Sequence, residues 1–175
     1  MSNIVLHIDI EESRWSKAIA DITGLVEKTK TATFDYVMQH TNFALLHSEK
    51  PINVNICLSN DSRVHQLNRD FRGMDKATNV LSFANIDFAD FSGENDLFPE
   101  IELGDIIIAY ETMLRESEIE NITLSAHFCH LLVHGFLHIL GFDHITDDAA
   151  EYMEGFEIAI LHNLSIPNPY ERDDE

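Results

Sequence analysis

Strand-like and helix-like segments alternate through the first half of this chain, and from Glu111 onward only helices follow. Ile4 to Ile10 reads as a strand, with Val5 and Leu6 beside β-branched neighbours, and Ser13 to about Lys30 has helical spacing at Trp15, Ile19, Ile22 and Val26. A second unit repeats that order. Asn53 to Leu58 (NVNICL) alternates polar and apolar like a half-buried strand, and Asp61 opens a helix that buries Val64 and Leu67 and ends near Arg72-Gly73. Asn79 to Phe83 and Leu103 to Ala109 look like two more strands, separated by an acidic, aromatic loop from Asp87 to Glu102 that is expected to be exposed. Three helices complete the chain: a short one from Glu111 to about Glu118, an apolar one from about Leu124 to Leu140, and a last one from about Asp147 to Leu161. Alternation followed by helices alone predicts an α+β fold, a small mixed sheet of about four strands packed with about five helices. At 175 residues the chain can enclose an apolar core without staples, and one domain over residues 1–175 is expected.

Charge and cysteine content narrow the class of function. Net charge is -20, from 31 acidic and 11 basic residues, which favours solubility and repels polyanions in general, so any nucleic-acid contact must be local. Cys57 and Cys129 are far apart and form no CxxC pair, which points away from a disulfide framework or a cysteine-based metal knuckle and toward a reducing cytoplasm. The amino terminus, MSNIVLHIDIEESRW, does not resemble a secretion signal. No apolar run reaches the roughly 20 residues of a membrane helix, so no membrane partner is expected.

Five of the ten histidines fall in the stretch HFCHLLVHGFLHILGFDH, between His127 and His144. His134 and His138 are four apart on a predicted helix, so their side chains lie one turn apart on one face and can reach the same ion. His130 shares that face, but it lies eight residues from His138, about 12 Å along the axis, too far for both rings to touch one zinc. A third ligand must therefore come from beyond the helix. Gly141 accepts the left-handed conformation that ends helices, and a turn there brings His144 back toward the pair. The expectation is one Zn2+ per chain, held by His134, His138 and His144 at the end of the apolar helix. Three nitrogen ligands leave a fourth tetrahedral position open, the catalytic pattern and not the closed structural one, and water bound there would become a usable nucleophile near neutral pH. His127 and His130 read as helix or supporting residues, and Cys129 as a small core residue.

The spacing HxxxHxxGxxH is also the zinc frame of metzincin proteases, in which glutamate follows the first histidine as general base. Here that position is Gly135, which removes the group that carries peptide hydrolysis and makes a metallopeptidase the second reading. Asp143, beside His144, is a candidate for orienting a ligand or handling protons, or is simply a solvated turn residue.

The stretch from His134 to His144 resembles the HGxLHxxGxDH motif of the bacterial YbeY family, in which glycine follows the first histidine. Phe71 to Phe83 (FRGMDKATNVLSF) is similar to that family's YRGxDKPTNVLSF segment, with Ala77 in place of proline and Phe71 in place of tyrosine. Leu103-Gly104-Asp105-Ile106 and the closing Asn168-Pro169-Tyr170 also match in order, so the likeness runs from about Asn53 to Tyr170. The resemblance implies a cytoplasmic, zinc-dependent, single-strand-specific endoribonuclease that matures the 3′ end of small-subunit ribosomal RNA and acts in ribosome quality control. It implies His134, His138 and His144 as the metal ligands and Arg72 as a functionally important arginine. Its partners would be single-stranded RNA and ribosomal RNA, with the small ribosomal subunit and its proteins; no DNA is expected.

Basic residues are scarce where such a substrate would bind. No lysine or arginine occurs from Ala77 to Leu114 or from Glu116 to Glu171, so phosphate recognition near the histidines must be borrowed from Arg63, Arg69, Arg72 and Lys76, which lie among Asp70 and Asp75. Arg72 is the best source, since a guanidinium is a planar fork that can hold two phosphate oxygens; the plainer reading is a helix-end arginine bonded to carbonyls or to those aspartates. Phe71 is a candidate for stacking on a base, although a helix-end aromatic is more often core. Beside the nuclease and the peptidase stands a third reading, a ribosome-associated binding factor with mainly structural zinc.

Overall fold

The computed structural model describes residues 3–86 and 98–171. Most of the expected acidic loop, residues 87–97, lies outside the described residues, and its final residues, Ile101 and Glu102, belong to a strand. Four strands form one sheet: β1 (Ile4–Ile10), β2 (Ile52–Ser59), β3 (Val80–Ala84) and β4 (Ile101–Ala109), in the order β1-β2-β4-β3. The first three neighbours are parallel, and β3 runs antiparallel along the outer edge of β4. The α+β class and the mixed four-stranded sheet thus agree with the sequence.

Among the described residues there are six α-helices where about five were expected: α1 (Arg14–Ala18), α2 (Ile22–His40), α3 (Asp61–Arg72), α4 (Tyr110–Glu120), α5 (Leu124–Ile139) and α6 (Asp147–Asn163). The extra helix arises because the expected first helix is broken. Ile19 is extended, Asp21 adopts a left-handed conformation at φ 47°, and its carboxylate accepts from the Gly24 N–H at 3.3 Å, capping a fresh start. Helix α2 then runs past Lys30 to His40, because Thr33, Phe34 and Val37 extend the buried stripe begun by Ile22 and Val26. The buried threonine hydroxyls cost little there: Thr29 donates to the Leu25 carbonyl at 2.7 Å and Thr33 to the Thr29 carbonyl at 2.8 Å.

Helices α2 and α5 share one core with the sheet, built around fully buried Trp15, Phe34, Phe128 and Phe136. Helix α5 lies unusually close to β4: a Cβ placed on Gly135 would sit 3.0 Å from Ile106 Cγ2. The opposite face of the sheet is covered only in part. Helix α3 packs Val64 on Leu81, Ile107 and Ala109 over the β4–β3 half. Beside it a cleft of about 810 Å³ reaches the polar residues His7, Asp9, Asn55, Cys57 and Asp105. Parallel sheets are usually covered on both faces; here the alternating pattern of NVNICL keeps one face polar, with Asn55 donating to Asp105 at 2.9 Å across neighbouring strands.

Candidate metal centre

Helix α5 begins at a Thr123 cap, whose hydroxyl accepts from the Ala126 N–H at 3.1 Å, and its apolar residues seat it against the sheet. That seating fixes the face on which His134 and His138 emerge. At the other end Gly141 takes φ 95°, as the sequence predicts, while the Phe142 N–H reaches back to the Leu137 carbonyl at 3.0 Å. Phe142 then anchors the turn in an aromatic group, 5.0 Å from Phe156 and 6.0 Å from Phe43 between ring centroids. The chain leaves this anchor pointed so that His144 returns to the end of α5.

His134, His138 and His144 come together as expected, with one nitrogen from each lying within 4.8 Å of the others. The Nε2 atoms of His134 and His138 are 3.0 Å apart. Two nitrogens bound tetrahedrally to one zinc at ~2.0 to 2.1 Å would lie about 3.4 Å apart, so the pair is close to the spacing an ion requires. Burial, with the imidazoles of His134 and His144 alongside, presses the pKa of His138 down to about 4, which keeps its nitrogen lone pair available at neutral pH. The donor set is three imidazoles with exposed His144 on the solvent side, and the group can hold a metal ion.

A residue that sequence reasoning missed completes the centre. Glu157 of α6, 1% exposed at its side chain, accepts from His134 Nδ1 at 2.5 Å. With the proton on Nδ1, the Nε2 of His134 is left as the acceptor that faces His138. Burial alone would push the Glu157 carboxyl up, but hydrogen bonds from His130 and His134 bring it down to about 2, so the carboxylate is charged. The sequence signal was present and unused: Met153, Glu157, Ile160 and Leu161 form one buried helix face, and a carboxylate in such a row needs a partner. His130, set aside as a ligand, lies 3.4 Å from Glu157 and supports it. His127 instead pairs with Glu116 at 2.7 Å, and Cys129 is a buried core residue, as expected.

The remaining candidates are placed less directly. Asp143 is exposed, and its carboxylate accepts from the Ile145 N–H at 3.1 Å, shaping the turn next to His144. Arg72, at the end of α3, donates to the Ser82 carbonyl at 2.9 Å and lies 5.5 Å over the Phe83 ring, so its contacts are with β3 and not with the three imidazoles. Strand β3 in turn packs against α5. Phe71 departs from its core expectation: it is 70% exposed and meets Phe83 edge-on at 6.1 Å. The nearby basic residues are partly spent, since Arg69 pairs with Asp70 at 3.2 Å, while Asp75 is taken by His65 at 2.6 Å. A second converging group, Asp9, Glu11 and Cys57, is a poor metal cradle: both carboxylates are exposed, and burial with Glu11 and Asp9 nearby pushes the Cys57 thiol up to about 12.

Comparison with known proteins places these residues in company. A family model described as Endoribonuclease YbeY matches residues 9–165. A protein of that name from Sphingopyxis alaskensis is 45% identical over 143 residues, covering 77% of this chain and 81% of its own. Another, from Rhizobium meliloti, is 36% identical over 170 residues, covering 97% of this chain and 96% of its own. Among solved structures, a protein from Thermotoga maritima studied in solution has the same fold, with a TM-score of 0.55 at 22% identity over 97% of each chain.

Proposed function

The chain belongs to the YbeY endoribonuclease family, and from that premise we propose that it is a zinc-dependent, single-strand-specific endoribonuclease acting on the 3′ end of small-subunit ribosomal RNA and in ribosome quality control. The observation that carries the metal assignment is the convergence of His134, His138 and His144, with Glu157 holding the far side of His134. Three neutral imidazoles and no thiolate or carboxylate suit zinc. Bound there, zinc supplies Lewis acidity toward a phosphoryl oxygen. The chain's own residues supply the rest. Glu157 keeps the His134 proton on Nδ1, and Arg72 offers a planar cation to a phosphate held near β3. Asp143, on the turn beside His144, handles a proton or orients the attacking group.

The peptidase reading loses support at Gly135. The frame has glycine where those peptidases carry the carboxylate, and a side chain there would press on Ile106, with its Cβ 3.0 Å from Cγ2. A purely structural zinc is disfavoured by the three-donor set and by the exposure of His144. We assign the nuclease to one domain spanning the chain, working in the cytoplasm with the small ribosomal subunit and its proteins. No single helix among the described residues is long and apolar enough to cross a membrane.

The test is incubation of zinc-loaded protein and its His138→Ala variant with single-stranded RNA, duplex RNA and casein. Cleavage of single-stranded RNA alone, lost with His138, is the expected result. Casein degradation that tracks zinc occupancy while RNA stays intact would replace this reading with the peptidase.

A further inference from the structure

The closing Asn168-Pro169-Tyr170 segment has no part in the chemistry above, yet it ends at the metal centre. Asn168 sets a turn by accepting the Tyr170 N–H on its side chain at 2.9 Å, and Pro169 fixes the backbone between them. The turn directs the Tyr170 ring inward, edge-on to His130 at 5.6 Å, and its hydroxyl donates to Glu157 Oε2. The other oxygen, Oε1, holds His134 Nδ1 at 2.5 Å.

We infer that Tyr170 is a positioning residue of the metal centre: its hydroxyl fixes the carboxylate of Glu157, and Glu157 fixes the imidazole of His134. This rests on the reading that the three histidines hold a metal. A glutamate side chain has three rotatable bonds, and the imidazole of His134 holds only one of its two oxygens. Oε2 has two partners, the Tyr170 hydroxyl and His130 Nε2, the latter at a long 3.4 Å. Removing the hydroxyl leaves Oε2 to that weak contact, so the carboxylate is held less firmly and the His134 imidazole it accepts from is less sharply oriented toward a metal. Burial and the Glu157 carboxylate both push the Tyr170 hydroxyl above the ordinary phenol range, so it remains a donor. His130 reads as the second brace on the same oxygen, which accounts for a histidine too far along the helix to be a ligand.

The experiment uses the full chain, stripped and reloaded with Zn2+ or Co2+, as wild type, Tyr170→Phe, Glu157→Gln and the double variant. Zinc affinity is measured by chelator competition, ligand geometry by the visible absorption of the cobalt form, and folding by thermal unfolding of the metal-free protein. Glu157→Gln is expected to weaken zinc binding by about 10- to 100-fold, and Tyr170→Phe by about 2- to 10-fold, the scale of one hydrogen bond. Both should alter the cobalt spectrum, and Tyr170→Phe should leave metal-free unfolding nearly unchanged. The tyrosine effect should vanish in the Glu157→Gln background, because it acts through that carboxylate. Should Glu157→Gln fail to fold, Tyr170→Phe carries the test alone. Wild-type affinity and spectrum in Tyr170→Phe, or effects of the two changes that simply add, would overturn the inference while leaving the metal assignment intact. A wild-type chain that binds neither ion would overturn the metal assignment and this inference with it.

Discussion

A carbon added at residue 135 meets Ile106 at 3.0 Å, so packing against β4 favours a glycine after the first histidine. Gly135→Glu should therefore destabilise the fold by about 1 to 3 kcal/mol, the range for forcing extra atoms into a packed interface, and should confer no casein hydrolysis; urea unfolding and a protease assay check both halves. Arg72 poses a different question, since its hydrogen bond to Ser82 is exposed and its guanidinium still faces solvent in part. Arg72→Ala should leave zinc content and thermal unfolding almost unchanged and lower RNA cleavage by roughly 10²-fold, the scale for one positioned electrostatic contact. Lysine should restore only part of that loss, because it keeps the charge without the two-pronged geometry. If Arg72→Ala instead loses zinc or unfolds, the bond to Ser82 is its main work.

Elements are tied to one another by buried and half-buried carboxylates, and Glu116 of α4 is the plainest case. It accepts from His127 on α5 at 2.7 Å and from Asn79, just before β3, at 3.1 Å. Burial raises its pKa, but the hydrogen bonds from His127 and Asn79 outweigh that and leave the carboxyl below its ordinary value. A group depressed on folding contributes stability above its unfolded pKa, about 4.3 for glutamate, and that contribution is lost as pH falls through the folded value. Glu116→Gln should accordingly lower stability at pH 7 and flatten its decline in that acidic window, as followed by denaturant midpoints at several pH values. Elements with strong end signals were legible in the sequence: α3 opens at Asp61 and stops at Gly73, and α5 carries His134 and His138 up to the Gly141 turn that returns His144. Helix α2 was legible only as far as about Lys30, because Lys28 to Thr33 lacks an apolar stripe and its threonines become core residues only through bonds to carbonyls one turn back. The apolar row around Glu157 marks it as buried, but its partners His130, His134 and Tyr170 lie 27, 23 and 13 residues away, so the sequence does not say what it meets.

Across the whole molecule, a metal that binds only the folded chain adds its binding free energy to stability. The melting temperature should fall on chelation and climb with free zinc, by an amount equivalent to about 2.7 kcal/mol at a hundred times the dissociation constant. A midpoint indifferent to zinc concentration would argue against the centre. Charge sets a second global expectation. With a net charge of -20 and few cations near the histidines, the chain is expected to neutralise only about two or three phosphates. The logarithm of RNA affinity should then fall with the logarithm of salt at a slope of about -2, far shallower than for a basic nucleic-acid-binding surface. Filter binding of an uncleavable single strand at several salt concentrations measures it.

All three imidazoles stand on one helix and the turn that ends it, within the eleven residues from His134 to His144. The donor set, though not its brace Glu157, is thus inherited as a single short word. Insertions between β3 and β4, drift in β1 or a rebuilt α3 leave the donor spacing untouched, so descendants of this chain are free to reshape the surrounding surface while the three imidazoles keep their register.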